Sequence, residues 1–206
     1  MEEDKQNNGS FEDLSLKDNL LRGIYSYGFE VPSAIQSKAI PNLKNGKDVI
    51  AQAQSGTGKT GAFVIGSLER IDEAVKGTQV IIISPTRELS KQTTEVVSEL
   101  SKYMEVSYME VVGGTDVFQC RSDLDKLPQI IIGTPGRILD MINKNSIYTD
   151  KLVSLIFDEA DEILSQGFKE TIYNIVKSIP EKCQICLFSA TIPDEVMELT
   201  NSFMRE

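Results

Sequence analysis

A glycine-rich turn, QSGTGKT, carries the first side chains that could do chemistry. The apolar run DVIAQA before it predicts a strand, and the pattern after it predicts a helix. In such a turn Gly56 and Gly58 let backbone N–H groups point at phosphate oxygens, since neither residue has a Cβ. Lys59 neutralises the terminal phosphates, and Thr60 offers a hydroxyl to Mg²⁺. Ala53 stands where a first glycine is usual. The predicted phosphate-binding residues are Ser55, Gly56, Thr57, Gly58, Lys59 and Thr60.

A run of acids follows the apolar run LVSLIF: Asp158, Glu159, Asp161 and Glu162. A phosphate loop needs an acid at the end of a neighbouring strand to hold its metal. Asp158 is expected to hold Mg²⁺ through water, and Glu159 to orient or deprotonate the attacking water. The alternative is an ordinary acidic helix start, stabilised by the helix dipole. With the glycine-rich turn upstream we favour the metal site, so the two elements together predict binding of ATP or GTP with Mg²⁺.

Six apolar runs, separated by amphipathic stretches, must position these residues. The predicted strands cover 48–53, 79–84, 106–112, 129–133, 152–158 and 184–189, and the predicted helices cover 59–74, 87–102, 136–144, 168–179 and 194–204. Two further helices precede the first strand. Ser15 and Ser33 are expected to cap them, Gly28 to end the first, and Pro41 to kink or shorten the second. This alternation predicts one α/β domain, a doubly wound and mostly parallel sheet with helices on both faces.

The composition excludes several classes of protein. With no histidine among 206 residues, Ser-His-Asp or Cys-His catalysis and a His-ligated zinc site are ruled out. The net charge of −10 argues against bulk electrostatic coating of nucleic acid, although it permits a narrow binding track. Cys183 and Cys186 lie in a predicted buried strand and are interpreted as core residues. No apolar run reaches the ~20 residues of a membrane helix. We expect a reduced, intracellular protein whose residues 1–10 form a disordered acidic tail.

Further short motifs occur in a fixed order along the chain. They are GF, P and IQ within 28–36, PTREL at 85–89, GG at 113–114, TPGR at 134–137 and SAT at 189–191. With AQSGTGKT and DEAD, they make residues 11–206 resemble the DEAD-box RNA helicases. The resemblance implies a RecA-like P-loop domain, the N-terminal ATP-binding domain of such an enzyme. It also implies a second helicase domain, absent from this chain, that carries an arginine finger and further RNA contacts.

The first motif implies adenine recognition. The Gln36 amide can both donate and accept, as the N6 and N7 edge of adenine requires. Phe11 is expected to stack on the base, and Phe29 and Pro32 complete the motif. The resemblance therefore implies ATP rather than GTP. A guanine-reading NKxD is also missing, since the nearest string, NKNS at 143–146, lacks the aspartate. Without the motif, Gln36 reads as an ordinary exposed helix residue.

Three turns that follow predicted strands are expected to grip one RNA strand by its sugar–phosphate backbone. Turns of this kind present amides and a hydroxyl to phosphates, with an arginine nearby. Arg137 has a second reading as a structural ion-pair partner. The predicted RNA-binding residues are Pro85, Thr86, Arg87, Gly113, Gly114, Thr134, Pro135, Gly136 and Arg137.

The SAT motif is expected to couple the nucleotide site to RNA. In the family this triplet hydrogen-bonds the acidic motif, and Asp161 is the expected partner of Ser189 and Thr191 here. The residues assigned to catalysis are Lys59, Asp158, Glu159, Ser189 and Thr191.

The function implied by the resemblance is an ATP-dependent RNA helicase. The likeness is greatest to the branch that acts in translation initiation, while an exon-junction or ribosome-biogenesis paralogue and a non-catalytic scaffold-binding module stay open as alternatives. We expect ATP and Mg²⁺ as cofactors, single-stranded RNA or an RNA duplex and an initiation scaffold as partners, and a cytoplasmic monomer without a membrane segment. From this chain alone we expect weak ATP binding and negligible turnover, because the arginine of the second domain is missing.

Overall fold

The computed structural model describes residues 9–205. Within that part of the chain, one sheet of six strands is surrounded by nine α-helices. The strands are β1 (Val49–Gln52), β2 (Val80–Ile83), β3 (Tyr108–Val111), β4 (Ile130–Gly133), β5 (Ser154–Asp158) and β6 (Gln184–Ser189). The helices are α1 (Asp18–Tyr27), α2 (Ala34–Lys44), α3 (Lys59–Arg70), α4 (Arg87–Leu100), α5 (Val117–Leu124), α6 (Pro135–Asn143), α7 (Ala160–Ser165), α8 (Lys169–Lys177) and α9 (Asp194–Phe203).

The strand order is β1-β6-β5-β2-β4-β3, and every pair of neighbours is parallel. Parallel neighbours need a crossover, and the helices between the strands supply it. All six strands fall inside the predicted runs, so the predicted α/β fold with a mostly parallel sheet is confirmed.

Helices cover both faces of the sheet, as predicted. Helices α1–α4 pack on one face and enclose Ile82, Ile156 and Phe188, whereas α5–α9 pack on the other and enclose Ile83, Phe157 and Leu187. The central strands β2, β4, β5 and β6 are buried at every position, while the edge strands β1 and β3 are partly exposed. This double cover explains why the central strands are apolar without alternation.

The two helices before β1 differ in part from the prediction. Ser33 caps α2 with a complete capping box, and Gly28 ends α1 in the left-handed conformation, as expected. The predicted cap at Ser15 is wrong: Ser15 has φ 52° and ends a short 3₁₀ turn, and α1 begins after Lys17. Pro41 does not shorten α2, because the helix continues to Lys44.

Helices α5 and α7 were not predicted. They have eight and six residues, too few for a periodic pattern to stand out from loops. Both cysteines of the CxxC are buried, and burial raises the pKa of the Cys183 thiol to about 12, which confirms them as core residues.

The predicted acidic tail lies mostly outside the described residues, which begin at Gly9. Ser10 is described, and its backbone N–H donates to Asp13 Oδ2 at 2.7 Å. Among residues 9–205, no helix has the length and apolar character to cross a membrane.

Candidate functional site

The six predicted motifs that follow strands lie at one edge of the sheet, because the carboxyl ends of parallel strands point the same way. The strand order divides them into two groups. The phosphate loop, the SAT motif and the acidic motif follow the neighbouring strands β1, β6 and β5. The PTREL, TPGR and GG turns follow the other three neighbours, β2, β4 and β3. The sheet therefore separates a candidate nucleotide site from a candidate RNA site.

The phosphate loop has the backbone that its glycines predict. Gly56 and Gly58 have φ values of +81° and +91°, a region that other residues rarely adopt. A Cβ on Gly58 would lie 2.7 Å from Ser33 Oγ and 2.8 Å from Gln36 Nε2. Gly58 also begins α3, so the N–H groups of the first turn of that helix are available to an anion.

The loop borders a cleft of about 290 Å³. The lining residues among the predicted set are Phe29, Ser55, Gly56, Gly58, Lys59, Thr60, Asp158 and Glu159. Thr57 does not join them, since its hydroxyl donates to the Gln54 carbonyl at 2.7 Å.

Lys59 bridges the two acids across the cleft. Its Nζ lies 2.5 Å from Glu159 Oε1 and 3.3 Å from Asp158 Oδ1. Burial alone lowers the pKa of Lys59, but Asp158 and Glu159 outweigh it, so the pKa is raised and the ammonium stays charged. One buried cation therefore serves two carboxylates.

Asp158 is the acid best suited to a metal. It is 3% exposed, and its Oδ1 atom has no partner within residues 9–205 apart from the Lys59 ammonium at 3.3 Å. Burial raises its pKa to about 6, with Lys59 opposing the shift. A buried carboxylate oxygen that accepts from no neutral N–H or O–H group fits a hydrated Mg²⁺, whose preferred ligands are oxygens and water. The residues present therefore fit the predicted metal, with Asp158 and Thr60 on the cleft wall to hold it.

Glu159 has a backbone conformation that is rare for its residue type. It caps α7 with φ 52° and ψ 53°, in the left-handed region. This conformation costs a residue with a Cβ about 1–2 kcal/mol. A strained residue at the end of a central strand, with its carboxylate in the cleft, agrees with the predicted role at the reacting phosphate.

Gln36 lies behind the phosphate loop rather than in the cleft. It is 2% exposed, its Oε1 accepts from the Ser33 N–H at 2.9 Å, and its Nε2 donates to the Gly58 carbonyl at 3.1 Å. Pro32 is also buried. Gln36 thus ties α2 to the loop, a role that sequence reasoning missed; adenine recognition by Gln36 stays a prediction.

The predicted role of Phe11 needs correction. Phe11 is fully buried and does not line the cleft, so its ring has no face open to a base. It stacks on Phe29 with ring centroids 6.2 Å apart and an interplanar angle of 19°. Phe29 lines the cleft together with Tyr27. Phe11 therefore supports the aromatic wall from behind.

The PTREL, TPGR and GG turns form one groove of about 430 Å³. The lining residues among the predicted set are Pro85, Thr86, Arg87, Gly113, Thr134, Gly136 and Arg137. Pro135 is buried at the first position of α6, and Gly114 lies outside the lining with φ +80°. The groove is thus made of backbone turns with two arginines.

The arginines of this groove are held by neighbours rather than by acids. Arg137 donates to the Thr115 hydroxyl at 2.9 Å and to the Thr115 carbonyl at 3.0 Å, so the ion-pair reading of Arg137 is replaced by a neutral contact. Gly114 leaves room for Arg87, since a Cβ there would lie 2.5 Å from Arg87 Nη1. Arg137 thus bonds to neutral groups of Thr115, and both guanidinium groups line the groove together with Glu88.

The SAT motif contacts the acidic motif, as expected. Thr191 donates to Asp161 Oδ2 through its N–H at 3.1 Å and its hydroxyl at 2.7 Å, and the Asp161 N–H donates to Ser189 Oγ at 3.1 Å. Burial raises the pKa of Asp161, but the hydrogen bonds from Thr191 and Ser189 outweigh it and the pKa is lowered. An ionised Asp161 therefore fastens β6 to the start of α7.

Sequence reasoning missed several lining residues. Those of the cleft are Tyr27, Gly61, Leu89, Gln92, Thr93 and Val96, and those of the groove are Glu88 and Phe168. Four of the cleft residues lie on α4, the helix opened by PTREL. Their spacing along that helix is visible in the sequence, but which helix borders the phosphate loop depends on the strand order.

The chain is similar to curated proteins over nearly its whole length. The chain is 49% identical over 196 residues to Eukaryotic initiation factor 4A of Caenorhabditis elegans, an alignment that covers 95% of this chain and 49% of that protein. It is 50% identical over 198 residues to ATP-dependent RNA helicase eIF4A of Meyerozyma guilliermondii, with the same two coverages. The chain thus spans about half the length of the curated relatives it matches.

Solved structures share the fold. A DEAD box protein from the hyperthermophile Methanococcus jannaschii superposes with a TM-score of 0.90 at 36% identity, over 96% of this chain and 54% of that one. S. cerevisiae Dbp5 bound to RNA and ADP BeF3 superposes with a TM-score of 0.86 at 34% identity, over 95% and 50%.

The family model described as DEAD/DEAH box helicase matches residues 33–199, which is most of the chain. That match, together with the phosphate loop, the acidic motif and the turns on one sheet edge, means that the chain belongs to the DEAD/DEAH box helicase family.

Proposed function

We propose that this chain is the ATP-binding half of an ATP-dependent RNA helicase, which hydrolyses ATP when it binds and locally unwinds RNA. The observation that carries the proposal is the placement of two sites on one sheet edge, with Asp161, Ser189 and Thr191 fastened together in the nucleotide group. A nucleotide kinase would not need the second groove. The relatives, about twice as long, support a second half that completes the enzyme.

In the nucleotide site, the loop amides and Lys59 bind the phosphates, and Asp158 with Thr60 holds Mg²⁺. Bound Mg²⁺ neutralises charge on the phosphates. Lys59 leaves Glu159 when a phosphate takes its ammonium, and the freed carboxylate then orients the attacking water. Phe29 and Tyr27 give the cleft an apolar wall for the base. We retain Gln36 as the adenine-reading residue, because an unused donor hydrogen and an unused lone pair remain on its amide.

In the groove, RNA is bound through its backbone. The groove offers amides of the turns, the Thr134 hydroxyl, and the two arginines, Arg87 and Arg137. Such contacts bind phosphate and sugar and carry little sequence information. This suits an enzyme that acts on many RNAs, as single strands or at a duplex.

Translation initiation is the proposed process, because the relatives at 49–50% identity are named initiation factor 4A. With it we propose a cytoplasmic monomer that associates with an initiation scaffold. Pull-down by such a scaffold, with and without nucleotide, tests that part separately from catalysis.

The nucleotide assignment is tested by binding of fluorescent mant-ATP and mant-GTP to residues 1–206 with Mg²⁺. We expect weak binding of mant-ATP, weaker binding of mant-GTP, and loss of both in Lys59→Ala. Lys144→Ala is the matched control, because Lys144 pairs with Asp140 on the surface, far from the cleft in sequence and fold. Equal binding by wild type and Lys59→Ala contradicts the assignment.

The helicase assignment is tested by ATP hydrolysis with and without RNA, for residues 1–206 alone and fused to the second half of a matched initiation factor 4A. We expect negligible turnover alone and RNA-stimulated turnover in the fusion, abolished by Glu159→Gln. Full-rate hydrolysis without RNA by residues 1–206, or near-normal turnover by the Glu159→Gln fusion, refutes the proposal.

A further inference from the structure

Three buried side-chain oxygens in residues 9–205 have no hydrogen-bond partner: Ser84 Oγ, Ser90 Oγ and Asp158 Oδ1. Such atoms are rare in native proteins, because each one loses its bonds to water without replacement. Ser84 and Ser90 are both 0% exposed, and Asp158 is 3% exposed. One of the three belongs to the predicted metal site, while neither serine has a role in the proposed function.

Ser84 and Asp158 occupy neighbouring positions in the sheet. Strands β2 and β5 pair in register up to Ile83 and Phe157. The next two residues, Ser84 and Asp158, therefore stand opposite each other as the following pair. Ser84 still belongs to the sheet, since its N–H donates to the Gly133 carbonyl of β4 at 2.9 Å. Neighbouring strands lie about 4.8 Å apart.

The two side chains also point to the same face. Ile82 and Ile156 belong to the core under α1–α4, and Ile83 and Phe157 to the core under α5–α9. Because side chains alternate along a strand, Ser84 and Asp158 return to the face of Ile82 and Ile156. That is the face of α3, from which Lys59 reaches Asp158. Side chains that stand opposite each other on one face of paired strands are neighbours, so the Ser84 hydroxyl and the Asp158 carboxylate are adjacent groups on this face.

Nucleotide binding creates the need for such a donor. Without nucleotide, Lys59 is the cation that Asp158 and Glu159 share. A phosphate in the loop draws the ammonium away from both acids, and Asp158 Oδ1 then faces a hydrated metal without the ammonium that is its partner in the nucleotide-free protein. A charge-assisted hydrogen bond from a hydroxyl stabilises the ionised carboxylate and fixes its orientation.

We infer that Ser84 is a positioning residue for Asp158: its hydroxyl donates to the carboxylate when magnesium and nucleotide are bound, and it has no partner when they are absent. This rests on the proposed function, since it assigns to Asp158 the metal of the nucleotide site. It also gives Ser84, the residue just before the PTREL turn, a direct contact with the nucleotide site.

Ser84→Ala is expected to stabilise the nucleotide-free protein and to weaken binding of nucleotide with Mg²⁺. In the nucleotide-free protein the change removes a buried hydroxyl without a partner, so the thermal unfolding midpoint rises by about 2–4 °C. With Mg²⁺ the affinity for mant-ADP falls about tenfold or more, because the bound state loses a charge-assisted hydrogen bond. In EDTA the affinity for mant-ADP stays within about twofold of wild type.

Ser154→Ala is the matched control. Ser154 is a buried serine at the other end of β5 and on the same face, and its hydroxyl donates to Gln184 Oε1 at 2.7 Å. Its removal leaves Gln184 Oε1 with the longer bond from Arg70 Nη1 at 3.3 Å, so the unfolding midpoint falls, while the ratio of mant-ADP affinities in Mg²⁺ and EDTA stays that of wild type. Removal of a serine hydroxyl with only a structural role thus changes the unfolding midpoint but not the ratio of mant-ADP affinities in Mg²⁺ and EDTA.

The experiment measures thermal unfolding without nucleotide and mant-ADP titrations in Mg²⁺ and in EDTA, for wild type and both variants. A higher midpoint together with a lower Mg²⁺-to-EDTA affinity ratio in Ser84→Ala alone supports the inference. A wild-type ratio in Ser84→Ala, or an equal loss in Ser154→Ala, overturns the inference and leaves the proposed function standing. Failure of the wild type to bind mant-ADP overturns the proposed function, and the inference with it.

Discussion

Asp158→Asn is expected to stabilise the nucleotide-free protein while it removes a residue proposed to hold Mg²⁺. Asp158 is 3% exposed, and burial raises its pKa from 3.8 to about 6 despite the opposing charge of Lys59. The folded protein therefore favours the neutral acid, and the ionised form carries a cost at neutral pH. Asparagine has nearly the shape of the neutral acid, so the variant escapes this cost and keeps the pair between Lys59 and Glu159.

The magnitude follows from the shift in pKa. A pKa raised from 3.8 to about 6 corresponds to a free energy on the order of 3 kcal/mol. Relaxation around the charge reduces this figure, so we expect a gain of about 2 kcal/mol in the free energy of unfolding, or a rise in Tm of about 4–8 °C.

The sign of the pH dependence is fixed by the same shift. Because the folded-state pKa of Asp158 lies above the unfolded value, the folded protein binds the extra proton, and the cost is absent below pH 3.8. It grows as the pH rises from 3.8 to about 6 and is complete above that. The difference between the variant and wild type must therefore widen over this window and stay constant at higher pH.

The assay is urea denaturation in EDTA at pH 7.5, and again near pH 4, for wild type, Asp158→Asn and Asp140→Asn. Asp140 pairs with Lys144 at the surface, so its variant should change stability by less than about 1 kcal/mol. The reasoning is refuted if Asp158→Asn is no more stable than wild type at pH 7.5, or if its advantage is the same at both pH values.

Three further changes test other parts of the site. Phe11→Ala should cost about 3–5 kcal/mol in urea denaturation, because the ring is fully buried; a cost below about 1 kcal/mol contradicts its supporting position. Thr191→Val removes the 2.7 Å bond to Asp161 and should leave mant-ADP affinity unchanged while RNA-stimulated hydrolysis by the fused protein falls; equal hydrolysis contradicts a coupling role. Arg137→Ala should weaken RNA binding about equally for different sequences and lower the salt slope by about 0.7–1 in fluorescence anisotropy titrations; an effect on one sequence only argues against backbone contact.

The sheet could be predicted because its central strands are buried on both faces. Runs such as QVIIIS and QIIIG are apolar almost throughout, a pattern typical of strands buried on both faces, and each contains a strand. Helices α5 and α7 could not be found in the same way, because one or two turns bury only a few residues. The predicted helix cap at Ser15 was wrong for a local reason. The left-handed backbone of Ser15 ends a 3₁₀ turn, and residue type alone does not show that conformation.

Residues whose chemistry is specific to their spacing were predictable, and those whose role depends on packing were not. Lys59 and Asp158 could be assigned because a glycine-rich turn after one strand and an acid after another converge at one edge of a parallel sheet. The position of Phe11 could not be predicted, since the sequence does not show which of the two rings, Phe11 or Phe29, faces the cleft. The stacking of Phe11 behind Phe29, and the bond from Gln36 to Gly58, depend on how α1 and α2 pack on the loop.

The strand order adds what no motif contains. Chain order places residues 90–157 between PTREL and the acidic motif, yet β2 and β5 are neighbours at the centre of the sheet. The last strand of the nucleotide group therefore abuts the first strand of the RNA group, and this is the pair of strands at whose end Ser84 and Asp158 stand opposite each other. Ser84 is the residue just before the turn that carries Thr86 and Arg87. We therefore expect the two sites to be coupled by two short routes, one through the bond from Thr191, after β6, to Asp161 in α7, and one across the β5–β2 pair. A variant of either route alone should weaken coupling without abolishing it.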